Sequence, residues 1–160
     1  PGRAGRPERN RAPCRPLTSK GRCPVDFFFY GTLIDPDIRR LVLGALAPPG
    51  VVPASLSGWR RVCLPGATYP TILRDRTGHV EGVLAIGLNA QARRRLMAYE
   101  SDDYALRRVE VSAGGRRVPA LVFAARPGQI RAPGSWEIGL WQRRHKRRFI
   151  AALASRGAPT

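Results

Sequence analysis

Short runs of Val, Ile, Leu and aromatic residues, each closed by Gly, Pro or Asp, recur along the chain and predict strands near 26–30, 54–63, 69–75, 79–88, 106–113 and 117–124. Helices are predicted near 36–46, 89–99 and 136–155. The second opens on Asn89, a good N-cap, and sets Ala92, Leu96 and Tyr99 on one face. In the third, Trp141, Phe149, Ile150 and Leu153 form the apolar side, and the basic run Arg143-Arg144-His145-Lys146-Arg147-Arg148 should form the solvated side. Between 126 and 135, Pro127, Gly128, Pro133 and Gly134 predict a loop and a candidate lid. Strands outnumber helices without alternating regularly with them. That pattern is α+β and argues against a doubly wound parallel sheet.

A chain of 160 residues can bury one core without disulfides or metal. Residues 1–24 read as a separate basic tail, rich in Arg, Pro and Gly and too poor in apolar residues to offset the entropy of ordering; 25–160 read as one domain. The chain opens on Pro1 rather than Met, which leaves a fragment, a processed form or a misassigned start open. Neither a signal core nor a membrane-length apolar run is present, so a cytoplasmic protein with no membrane partner is the default expectation.

The net charge of +17 invites a nucleic-acid partner. Two observations disfavour it. Residues 1–26 hold +5 of that charge, and the cations are almost all arginine, with Lys20 and Lys146 the only lysines, which points to a compositional bias of the whole chain. Cys14, Cys23 and Cys63 are an odd set without CxxC spacing, and His79 and His145 are the only histidines. They predict neither a disulfide framework nor a metal site, and Cys63 reads as a small buried hydrophobe.

Two segments could carry chemistry. Phe27-Phe28-Phe29-Tyr30-Gly31-Thr32-Leu33 is an aromatic strand that stops in a glycine turn before Pro36. If Gly31 takes positive φ, the amides around it can converge on an anion such as a carboxylate. The same string also fits a plain core strand and turn. The second segment is Tyr99-Glu100-Ser101-Asp102-Asp103. Glu100 ends the predicted helix on its apolar side, where burial would raise its pKa toward that of a general base, whereas Asp102 and Asp103 read as a solvated turn.

With Ser57-Gly58-Trp59-Arg60, Tyr69-Pro70-Thr71-Ile72, Val80-Glu81-Gly82-Val83-Leu84 and Arg107-Arg108-Val109, these segments form an ordered series from about Phe27 to Phe123. The series resembles the gamma-glutamylcyclotransferase-like superfamily, in the branch that contains gamma-glutamylamine cyclotransferase. The resemblance implies a small mixed β-barrel flanked by helices. It also implies intramolecular aminolysis of a γ-glutamyl amide to 5-oxoproline and a free amine, with no metal or organic cofactor. Glu100 is the implied catalytic acid/base. Tyr30, Gly31, Thr32, Leu33 and Tyr104 are the implied substrate-binding residues, the turn taking the α-carboxylate. Met97, Ser101 and the spacing from Tyr104 to Arg107 depart from the family's usual pattern. A non-catalytic module for a small metabolite and a basic nucleic-acid-binding protein are the competing readings.

Overall fold

The computed structural model describes residues 24–48, 50–63, 66–100, 102, 104–126 and 134–155. The expected tail and most of the expected lid lie outside them. Five strands, β1 (Val25–Phe29), β2 (Val51–Cys63), β3 (Pro70–Leu88), β4 (Tyr104–Ala113) and β5 (Arg116–Ala125), close a barrel in the order β1-β3-β2-β4-β5. All neighbours are antiparallel except β1 and β5, which meet in parallel at Phe27 and Leu121. The barrel is therefore mixed, as the resemblance implied.

Successive side chains of a strand point to opposite faces, and β1 buries both. Phe28 and Tyr30 enter the barrel interior with Leu56, Val80, Leu84, Val111 and Val122. Phe27 and Phe29 face outward, under a helical layer that contributes Ile38, Leu43, Leu96 and Trp141. Gly82 permits this crowding, because a Cβ there would run into the carbonyl of Phe29 and the ring of Phe28.

The helices are α1 (Pro36–Leu43), α2 (Ala90–Tyr99), α3 (Ile138–Arg144) and α4 (Lys146–Ser155), with 3-10 turns at Thr32–Ile34 and Gly44–Leu46. Asn89 caps α2 by accepting from the Ala92 N–H at 2.8 Å. Among the described residues no helix is long and apolar enough to cross a membrane.

The structure corrects five details. The strands expected at 69–75 and 79–88 are one, β3. Its interruption is absorbed as a register shift against β2 between Ser57 and Trp59, opposite a turn in which Asp75 accepts from the Thr77 N–H and hydroxyl. The helix expected over 36–46 ends at Leu43, where Gly44 takes φ 55°. The helix expected over 136–155 breaks at His145 into α3 and α4, and Lys146 is not a solvated cation. Its ammonium sits 2.7 Å from Asp35 and 2.8 Å from Asp37. Cys63 is only partly buried, and its thiol donates to the Ala67 carbonyl at 3.2 Å.

Candidate active site

A cavity of about 750 Å³ opens between the barrel and the helices. Its lining brings together Tyr30, Gly31, Thr32, Leu33, Glu100 and Tyr104, six residues spread over three segments of the sequence.

The turn after β1 is built by sterics and by hydrogen bonds on its carbonyl side. Gly31 lies at φ −116°, ψ −140°, so the expected positive φ is not found. Glycine is needed here for a different reason: a Cβ would stand 3.1 Å from Cγ and 3.3 Å from Cδ of Pro70, the first residue of β3. The chain then enters the 3-10 turn, with the Ile34 N–H donating to the Gly31 carbonyl at 3.0 Å and the Asp35 N–H to the Thr32 carbonyl at 3.1 Å. Arg39 holds the carbonyls of Leu33 and Ile34 at 2.8 and 2.5 Å. The first N–H groups of any such turn have no acceptor within it. Those of Thr32 and Leu33 find none elsewhere among the described residues.

Glu100 is the C-cap of α2, its N–H donating to the Leu96 carbonyl at 2.9 Å. Leu96 and Ala92 are fully buried and anchor that helix. The adjacent Tyr99 hydroxyl pairs with Oγ1 of Thr32 at 2.8 Å, which ties the end of α2 to the turn. The Glu100 carboxylate has no ion pair or hydrogen bond among the described residues. Desolvation therefore acts uncompensated and pushes its pKa up to about 7.

Three tyrosines surround it. Tyr30 donates to the Phe123 carbonyl of β5 at 2.6 Å, and Tyr104 donates to the Pro70 carbonyl at 2.9 Å. Burial first, and the nearby Glu100 charge in addition, raise the pKa values of Tyr30, Tyr99 and Tyr104, so all three stay neutral. Tyr30 and Tyr104 have their protons committed to backbone carbonyls, either hydroxyl can be the donor in the Tyr99–Thr32 pair, and Glu100 is the one carboxyl among the described lining residues. No cluster of metal-ligating side chains occurs among the described residues.

A family model described as gamma-glutamyl cyclotransferase, AIG2-like, matches residues 27–143. The chain belongs to the AIG2-like gamma-glutamyl cyclotransferase family. AIG2-like protein C of Arabidopsis thaliana is 31% identical over 136 residues, covering 82% of this chain and 77% of the relative. A protein of Arabidopsis thaliana solved in solution superposes with a TM-score of 0.58 at 26% identity, over 85% of this chain and 95% of that one. A solved gamma-glutamyl cyclotransferase shares the fold, with a TM-score of 0.51 at 17% identity over 64% of this chain and 66% of that one.

In this member of the family the cavity has walls that the sequence reading did not anticipate. Tyr69 and Pro70, Leu41 of α1, and Phe149, Ala152 and Leu153 of α4 all line it. Asp35 was missed as well. It is fully buried and caps α1 through the N–H groups of Asp37 and Ile38, at 2.9 and 3.4 Å, and it also accepts from Gln142 and Lys146, both at 2.7 Å. Desolvation pushes its carboxyl up, but the bonds from Lys146, Gln142 and the two amides outweigh that and leave it below the usual carboxylate range. Its signal in the sequence was Asp35-Pro36, a cap followed by proline at the first helical position.

Proposed function

We propose that the chain is a gamma-glutamyl cyclotransferase that closes a γ-glutamyl amide to 5-oxoproline and releases an amine. One observation carries this reading. An uncompensated carboxyl with a pKa of about 7 shares a cavity with a turn whose leading amides are unpaired among the described residues.

In this mechanism the amides of Thr32 and Leu33 hold the substrate's α-carboxylate and orient the glutamyl chain. Glu100, as the carboxylate, takes a proton from the α-ammonium. The freed amine attacks the γ-carbonyl carbon, and a bond forms between the α-nitrogen and that carbon. The tetrahedral adduct collapses by breaking the original amide C–N bond. Two protons in all pass from the attacking nitrogen to the departing one, relayed by Glu100, and the amine leaves as its ammonium with Glu100 restored. Nucleophile and electrophile belong to one molecule, so folding it into a near-attack geometry supplies much of the rate. A base with a pKa near 7 suits both halves of the relay at neutral pH.

The test is release of 5-oxoproline from a panel of γ-glutamyl amides by the wild-type protein and by Glu100→Gln. Turnover by the wild type and its collapse in the variant are expected. Binding without turnover by the wild type would reduce the protein to a metabolite-binding member of the family.

A further inference from the structure

Thr68, Tyr69 and Pro70 line the cavity where the chain returns from β2 into β3. Thr68 and Tyr69 lie outside the strand pairing, which begins with Cys63 opposite Pro70, so contacts from elsewhere must set their place. The Thr68 carbonyl accepts from the indole N–H of Trp136 at 3.0 Å, and the carbonyl of the preceding Ala67 accepts from the Cys63 thiol at 3.2 Å. The position of this wall matters to the rest of the site. Tyr104 donates to the Pro70 carbonyl, its ring lies 6.5 Å from that of Tyr69, and the Pro70 ring fills the space beside Gly31.

We infer that Trp136 is a positioning residue for this cavity: it does not line it, but it holds the Thr68–Pro70 wall in the place that ligand binding requires. Its kinetic consequence rests on the cyclotransferase reading; its geometric content does not. Trp136 is itself anchored from several directions. Its ring lies 6.4 Å from that of Trp141 in α3, which meets the lining residue Phe149 edge-on at 5.3 Å. The Arg61 guanidinium of β2 sits 5.4 Å from the centre of the Trp136 ring, and the nearby backbone is tied to the end of β2 by the Cys63 N–H, which donates to the Gly134 carbonyl at 2.9 Å. A residue held by both the helical layer and the barrel can serve as a fixed point for a segment that has no ladder of its own. The ring contacts could be made by any large aromatic side chain. The bond to Thr68 needs the indole, whose nitrogen is a donor and nothing else.

The test is Trp136→Phe, which keeps a ring against Trp141 and Arg61 and deletes the N–H. Steady-state release of 5-oxoproline is followed with the γ-glutamyl amide that the wild type turns over fastest. KM should rise roughly twofold to tenfold, the factor that one net hydrogen bond contributes, because only molecules with the wall in place bind. kcat should hold, and the pH limb near 7 should not move, since Glu100 keeps its surroundings. Val111→Ala, in the barrel interior and off the cavity lining, should lower Tm without raising KM, which separates positioning from a general loss of stability. An unchanged KM in Trp136→Phe, an equal rise in Val111→Ala, or a displaced pH limb would overturn the inference while leaving the cyclotransferase reading intact. A second measurement needs no turnover. With Cys14 and Cys23 replaced by Ser, the rate at which a thiol reagent labels Cys63 reports how firmly the segment leading to Thr68 is held, and it should rise in Trp136→Phe. If the wild type turns over no γ-glutamyl amide, the cyclotransferase reading falls and the labelling rate still decides: equal rates with and without the indole N–H refute the inference.

Discussion

Replacing Glu100 by Gln keeps the shape of the side chain and removes its charge, so it separates what the carboxyl does for stability from what it does for chemistry. Burial lifts its pKa from an ordinary 4.5 to about 7. Between those values the folded protein binds a proton that the unfolded chain has released. Stability therefore falls as pH rises from about 4.5 to about 7, and the carboxylate is a net burden above that range. At 1.36 kcal/mol per pKa unit the burden approaches about 3 kcal/mol at pH 8, and is a fraction of that at pH 5. Glu100→Gln carries no such burden. Urea unfolding at the two pH values should show the variant gaining about 2 kcal/mol on the wild type as pH goes from 5 to 8. Over the same range the wild type's kcat/KM should rise through an apparent pKa near 7, the sign expected of a base that must be ionised. The variant should lose that limb, together with about two to four orders of magnitude in turnover. Parallel stability curves for the two proteins would show that Glu100 is not desolvated as described. A near-normal rate in the variant would remove it from the mechanism.

Three further outcomes follow from the surroundings. Gly31→Val places branched carbons against Pro70 and into the cavity, and should raise KM for γ-glutamyl amides more than it lowers kcat, with stability down by about 1–3 kcal/mol in denaturant titration. The opposite split, kcat lost at unchanged KM, would contradict a binding role for the turn. Tyr99→Phe deletes the 2.8 Å bond to Thr32 and should cost about 1 kcal/mol of stability and lower kcat, while the pH limb near 7 persists; a displaced limb would mean that the phenol itself takes part in the titration. Asp35→Ala removes the α1 cap and a buried partner of Lys146 and should cost about 3–5 kcal/mol. Because the Asp35 pKa is lowered, the wild type's advantage over that variant should be complete above the ordinary carboxylate pKa and fade as pH falls through the folded value, which acid-dependent melting curves would show.

The elements of this fold were legible where local chemistry decides them. Asn89 marked the start of α2, and the Phe27–Phe29 run marked β1, because a cap and an apolar run act within a few residues. The fusion of two expected strands into β3 was not legible, since the turn chemistry of Asp75 and Thr77 is real and only pairing with β2 carries the strand past it. At the site, the sequence named the turn and Glu100 as candidates but misjudged how the turn works. Positive φ is the usual reason for glycine, whereas Gly31 answers to Pro70, a contact across 39 residues that no local pattern encodes. Lys146 was misplaced for the same reason. Within its own helix it belongs to a basic run, and only the fold brings it to Asp35.

These long-range contacts also explain why the cavity has a defined shape. The turn meets α2 through Thr32 and Tyr99, and α1 meets the junction of α3 and α4 through Asp35, Gln142 and Lys146. The first link fixes the separation of the turn from Glu100, the two groups that must grip one small molecule at both ends. The second fixes where α4, and so Phe149 and Leu153, stands against Leu41. Loosening the Asp35 link by the conservative Asp35→Asn change should therefore weaken discrimination among amine chains more than it slows cyclisation of the best substrate. Loosening the Tyr99 link should do the reverse. Measuring kcat/KM for γ-glutamyl-ethylamide and γ-glutamyl-hexylamide in both variants separates the two. Identical losses on both substrates in both variants would mean that the cavity responds as a single rigid unit and that neither link has a function of its own.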